Sequence, residues 1–129
     1  MSTIVTDTIT GKSTATTINS MTIRGEGSAQ TSIQQGLAKA WSRFNGTGTA
    51  AIDDSFNISS LADNSTGNFT LNYTNNMGND NYAKVDGGGH WGEQSTSDAT
   101  SSAKLLTYSS SPSLADYTNV TFITIGDLA

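Results

Sequence analysis

The residues able to do chemistry are few and fall in two places. Asp53 and Asp54 are adjacent, and Asp63 follows a short way on. Paired carboxyls hydrolyse a glycoside when they flank the sugar at about 5–9.5 Å. Neighbouring aspartates at the start of a strand read instead as turn or edge residues, and no catalytic residue is assigned. The second place is the run DGGGHWGEQSTSDATSS, residues 86–102, which holds the single histidine, His90. Serines are plentiful, but no Gly-x-Ser-x-Gly elbow presents a nucleophile to that histidine. His90, Asp86 and Glu93 lack the ligand spacing of a zinc site, and the spaced acidic positions of a calcium loop are missing. Three copies of His90 around a symmetry axis are the one arrangement that would gather metal ligands; no metal or cofactor is expected. Gly87-Gly88-Gly89 is not followed by Lys-Ser/Thr and opens no helix, so it is not a phosphate loop.

Aromatic side chains with polar neighbours are the usual means of holding a sugar ring. Tyr82, Trp91 and Tyr108 are available. Tyr82 and Tyr108 read as core or interface residues. His90 and Trp91, set among glycines and polar residues, are the candidate receptor contacts. Loops on rigid β scaffolds commonly do such binding.

The elements around these residues are mainly β. Phe69, Leu71 and Tyr73 alternate with Thr70, Asn72 and Thr74, the clearest half-buried strand in the chain. Phe56 and Ile58 alternate with Asn57 and Ser59, Asp63 to Gly67 reads as a turn, and Asn75 to Asn81 as another. Short strands are expected at Tyr82–Val85 and Lys104–Tyr108. The last, Val120 to Ile125, is apolar on both faces, with Val120 and Phe122 on one and Ile123 and Ile125 on the other. Such a strand is buried on both sides, and a neighbouring subunit is one source of the second cover.

One helix is expected over residues 32–44. Ser32 and Gln35 make a capping box, Lys39 and Arg43 sit near its C-terminal end, and Asn45-Gly46 stops it. Ile33, Leu37, Ala40 and Phe44 are spaced 4, 3, 4, which is a coiled-coil seam. A lone helix of about 13 residues is marginal in water. The seam therefore packs on the chain's own sheet or lies at a trimer axis. Ahead of it, residues 1–24 read as an extended arm, and Gly25-Glu26-Gly27 as a hinge. The expected layout is an arm over 1–24, a linker and trimerising helix over 25–45, and a small antiparallel β-sandwich head over 46–129. The candidate trimer interface is Ile33, Leu37, Ala40, Phe44, Ile123 and Ile125.

Composition narrows the function classes. Thr, Ser and Asn supply 49 of 129 residues, whereas charged residues are only 13%, against roughly a quarter in an average soluble domain. Apolar residues are 34% and cysteine is absent, so a thin core without disulfides calls for oligomerisation. Six Lys and Arg residues, scattered along the chain, make no basic stripe and argue against a nucleic-acid partner. No run of about 18 apolar residues is present, so no membrane insertion is expected. The opening MSTIVTDTITGK has neither a charged start nor an apolar block, and no secretory leader is expected from it. Asn-x-Ser/Thr triplets begin at Asn45, Asn57, Asn64, Asn68, Asn72 and Asn119, as chance supplies in a chain so rich in these residues.

Over residues 24–129 the chain resembles a module of tail-fibre and other fibre-like virion proteins of bacteriophages, particularly marine and cyanobacterial ones. The matching parts are Gly25–Gly27, Ile33–Trp41, Phe44–Thr49, Asp54–Ser60 and Asp63–Thr70, and the closing Gly126-Asp127-Leu128-Ala129 fits the same group. The resemblance implies a homotrimeric fibre component with a β-rich tip, located on the virion at the tail or baseplate. It implies an arm that docks on other virion proteins of baseplate, tail or capsid, and a head that contacts the host surface, including its glycans. Only residues 1–24 precede the module where many fibres carry a long shaft, so a short fibre or an adaptor is expected. A capsid decoration or head-fibre protein is the alternative, and a lectin-like or glycan-cleaving domain a third, from another class. The signature names no catalytic residues.

Overall fold

The structure, a computed structural model, describes residues 22–24, 30–32, 36–88, 91–94, 98–111 and 113–129. The chain divides into two compact units, Met1–Ile33 and Gln34–Ala129. In the first, β1 (Thr22–Arg24) and β2 (Gln30–Ser32) pair antiparallel, with Arg24 opposite Gln30. Residues 25–29 between these two strands, which include the expected hinge Gly25-Glu26-Gly27, lie outside the described residues, as do residues 1–21 of the expected arm.

The second unit is an antiparallel β-sandwich. Its strands are β3 (Ala38–Asn45), β4 (Ala51–Phe56), β5 (Ile58–Ser65), β6 (Asn68–Tyr73), β7 (Ala83–Gly87), β8 (Trp91–Gln94), β9 (Ser102–Tyr108) and β10 (Val120–Ile125). One sheet has the order β4-β3-β10-β7 and the other β5-β6-β9-β8. The mainly β, sandwich-like class expected from the alternation is therefore the observed one.

Strict period-two burial makes the core. Phe69, Leu71 and Tyr73 of β6, Ala103, Leu105 and Thr107 of β9, and Val120, Phe122 and Thr124 of β10 are all buried. Phe44 and Phe69 meet edge to face with centroids 5.1 Å apart, a favoured aromatic geometry across two packed layers. The hairpin from β5 to β6 closes through Thr66-Gly67, with Ser65 opposite Asn68. Gly67 has φ +62°, and a Cβ there would lie 2.6 Å from both the Ala115 nitrogen and the Thr107 oxygen. Only glycine meets both demands. The turn expected over 63–67 is thus two residues long, and Asp63 to Ser65 belong to β5.

Asn57 makes the corner where the chain leaves one sheet for the other. It stands alone between β4 and β5 with φ 58°, a conformation asparagine tolerates better than most residues. Its amide donates to the carbonyls of Lys39 and Asn75, at 3.0 and 3.1 Å, and its oxygen accepts from the Asn75 backbone N–H at 2.7 Å.

The expected helix over 32–44 is corrected by β3. From Ala38 to Asn45 the chain is extended and pairs with β10 on one side and β4 on the other. Residues 33–35 lie outside the described set. Ala40 and Phe44 fit a 3.6-residue period, but with Ser42 between them they fit a period of two as well. Ser42 is buried like its neighbours, and its polar side chain hid the alternation. Two flanking strands offer β3 hydrogen bonds on both edges, which outweighs the propensity of a short helix without a partner. The sandwich consequently begins at β3, ahead of the boundary expected at residue 46.

Residues 86–102 are not structureless throughout. Asp86 and Gly87 end β7, and β8 pairs with β9, placing Trp91 opposite Tyr108. The Asn75–Asn81 turn is held by the C-terminus: Met77 is buried and bridges Leu128, and Gly78 N–H donates to the Asp127 carbonyl at 2.7 Å.

Candidate functional site

Side chains on alternate positions of a strand face opposite ways, so the outward face of the β4-β3-β10-β7 sheet can be assembled from its register. Trp41 lies opposite Phe56 on one side and Ile123 on the other, and Ile123 lies opposite Val85. Phe56, Trp41, Ile123 and Val85 thus form one row crossing all four strands. The row covers three inter-strand spacings, about 14 Å. Two residues along, Ile125 lies opposite Ala38 and Ala83. Phe56, Val85, Ile123 and Ile125 are exposed, and this half of the face is an uncovered apolar surface.

The other half of the face is polar. Thr121 lies opposite Arg43 and Gly87, and Arg43 opposite Asp54. The Arg43 guanidinium donates to Asn119 Oδ1 at 2.6 Å and approaches Asp53 at 3.8 Å. Both partners of that pair are solvent-exposed, so it contributes little to stability. It does set both signs of charge beside the apolar row.

A separate polar cluster joins the two sheets. Lys84 on β7 is buried and reaches Asp98, just ahead of β9, with Nζ 2.6 and 2.7 Å from the two carboxylate oxygens. Lys84 Nζ also donates to the Lys104 carbonyl at 3.1 Å, and the Lys104 N–H donates to Asp98 Oδ1 at 3.1 Å. Thr124 lies opposite Lys84 and is hydrogen-bonded to the Tyr73 hydroxyl, 3.1 Å away. The rings of Tyr73 and Tyr82 meet edge to face at 5.8 Å, and the Tyr82 hydroxyl donates to the carbonyls of Ala99 and Ser102. Burial pushes the phenol of Tyr82 far above its usual range, with Tyr73 adding to the effect, and burial likewise raises Tyr73.

The six candidate interface residues do not share one face. Ala40 and Phe44 are wholly buried in the chain's own core, because β3 turns them toward the second sheet; this corrects their placement on an intersubunit seam. Leu37, just ahead of β3, is exposed, as are Ile123 and Ile125. Ile33 and His90 lie outside the described residues. Trp91 is in β8. Asp53 and Asp54 are on β4 and Asp63 on β5, in different sheets. Tyr82 is a half-buried packing residue, in keeping with its reading from sequence. Among the described residues no group of three or more His, Cys, Asp or Glu could hold a metal ion.

Sequence reasoning missed Phe56, Val85 and the Lys84–Asp98 pair. Trp41, Phe56, Val85 and Ile123 are far apart along the chain, and only strand register brings them into one row. Comparison of the chain with protein-family models, with curated proteins and with solved structures finds no match.

Proposed function

We propose that this chain is a non-enzymatic structural component of a bacteriophage virion, a homotrimeric short-fibre subunit whose β-sandwich head contacts the host surface. The fibre-module resemblance over residues 24–129 supports the virion class. The observation that carries the assembly is the apolar row Phe56–Trp41–Ile123–Val85 on the outward sheet face. A hydrophobic row across a sheet is stable in water when something covers it. The covering surface in this reading is the head of a neighbouring copy. A standard interface buries about 800 Å² per partner, so the row forms its centre and the polar half its rim. That rim carries Arg43 beside Asp53 and Asp54, charges of both signs that the adjoining patch of the next copy meets in a heterologous three-fold contact.

Residues 1–24 are the arm that attaches to other virion proteins. Its Thr/Ser-rich, Ile-dotted pattern suits strand addition to a neighbour's sheet edge. His90 and Trp91 are the candidate host contacts, with a surface glycan as ligand.

Sedimentation of the purified chain at micromolar concentration tests the assembly: three copies are expected, and a stable monomer overturns it. Antibody labelling of intact particles tests the location. Label on the tail is expected, label confined to the capsid shell assigns the chain to head decoration, and unlabelled particles refute the virion reading.

A further inference from the structure

We propose that Lys84 and Asp98 condense into an intramolecular isopeptide bond that fastens one sheet of the sandwich to the other. The inference does not depend on the assembly or on the virion reading. Lys84 belongs to the β4-β3-β10-β7 sheet, and Asp98 leads into β9 of the opposite sheet. Their side chains are 4% and 16% exposed, so water is largely excluded from the amine and partly from the carboxyl. Both carboxylate oxygens lie within 2.7 Å of Nζ. The carboxyl carbon between them is therefore about 2.5–3 Å from the nitrogen, close enough for attack once Nζ moves over the carboxyl plane.

The groups are held rather than merely close. Lys84 Nζ donates to the Lys104 carbonyl, the Lys104 N–H donates to Asp98 Oδ1, and the Tyr82 hydroxyl ties down Ala99, the residue after Asp98. Few rotamers remain to be lost on the way to reaction. Transfer of one proton from the ammonium to the carboxylate converts the pair into a neutral amine and a carboxylic acid, the nucleophile and electrophile that condensation needs.

A third group completes the arrangement. Asp86 is two residues along β7 from Lys84 and on the same inward side, and its Oδ2 is buried without a hydrogen-bond partner among the described residues. In the proposed step the Asp86 carboxylate, on this side of β7, takes the proton that Nζ sheds on attack and returns it to the departing oxygen. The step balances without a cofactor. Nζ forms a bond to the Asp98 carboxyl carbon, and one carbon–oxygen bond breaks. The oxygen leaves as water with two of the three ammonium protons. No electron is transferred, and the net charge of the chain is unchanged. In a chain without cysteine, this bond closes a covalent loop around residues 85–97, which include His90 and Trp91.

Intact mass spectrometry of the folded full-length chain, run under denaturing conditions, reads the bond directly. The expected mass is lighter than the sequence mass by one water, and tryptic mapping should return a branched peptide joining residues 84 and 98 with no cleavage after Lys84. Lys84→Arg and Asp98→Ala should each restore the full mass. Asp86→Asn should reach the lighter mass more slowly. A wild-type chain at full mass, with normal cleavage after Lys84, overturns the proposal. So does a lost water that maps to a succinimide at Asp86-Gly87 instead of the branched peptide.

Discussion

Replacing Val85 and Ile123 together by threonine tests whether the outward face of the sheet is an interface. Threonine keeps the β-branch, so strand propensity is preserved, and outward positions of a lone chain change stability by less than about 0.5 kcal/mol. Full burial of a Val or Ile side chain contributes about 1.5–3 kcal/mol. Val85 has 59% and Ile123 41% of its surface still open. Covering what is open therefore adds about 1.3 kcal/mol at Val85 and about 0.9 kcal/mol at Ile123. Threonine keeps a methyl at each site, so the lost carbons account for about 1 kcal/mol and desolvating the two new hydroxyls for about 1 kcal/mol more; the double variant forfeits about 2 kcal/mol per chain and about 6 kcal/mol per trimer. At about 1.4 kcal/mol per factor of ten, the association constant falls about ten-thousand-fold. For three chains joining, the concentration at half-assembly moves as the square root, about 100-fold upward. Sedimentation equilibrium over a dilution series measures that shift, and circular dichroism at each concentration checks that the sandwich stays folded. Thr121→Ser on the polar half is the control and should leave assembly where it was. A folded double variant that assembles at the wild-type concentration refutes the reasoning.

Three further outcomes follow from the fold. Gly67→Ala combines left-handed strain with backbone overlap against Thr107 and Ala115; a loss of about 2–3 kcal/mol in urea unfolding is expected, and a change below about 0.5 kcal/mol would show that the turn relaxes freely. Asn57→Ala should cost about 2 kcal/mol through the lost bonds to Lys39 and Asn75. Asn57→Gly should recover the backbone conformation but not those bonds, and so fall between the two; equal stability of alanine and glycine would refute a conformational share. Tyr73 and Tyr82 are both raised above the ordinary phenol value. Below about pH 10 both phenols are protonated in the folded and unfolded chain alike, and their contribution is fully present. Above it the unfolded chain releases protons that the folded chain keeps, so stability falls as pH rises. Denaturation midpoints from about pH 8 to 11 should drop, with phenolate absorbance appearing on unfolding, and Tyr82→Phe should flatten the slope; an unchanged slope in that variant would remove Tyr82 from the account.

Much of the sandwich could be read from the residues. β6 alternates Phe69, Leu71 and Tyr73 with polar neighbours, and β10 carries Val120 and Phe122 on one side with Ile123 and Ile125 on the other. Period-two patterns of this kind depend only on local pleating. β3 was different. Ala40 and Phe44 satisfy helical and extended spacing alike, and the buried Ser42 removed the cue that separates them. Its strand state comes from β4 and β10 on its two edges, and pairing partners distant in sequence leave no mark on local periodicity.

The candidate sites divide along the same line. Sequence alone settled the strand class of β6, β9 and β10, the scarcity of titratable groups, and the two-faced character of Val120–Ile125, because each depends on residue identity or on the fixed alternation of a strand. Tertiary structure decided that Ala40 and Phe44 face the interior, that Phe56 and Val85 join Trp41 and Ile123 in one row, and that Lys84 meets Asp98 across the sandwich. Those relations rest on register between strands and on how two sheets stack, and both are fixed by many distant contacts acting at once.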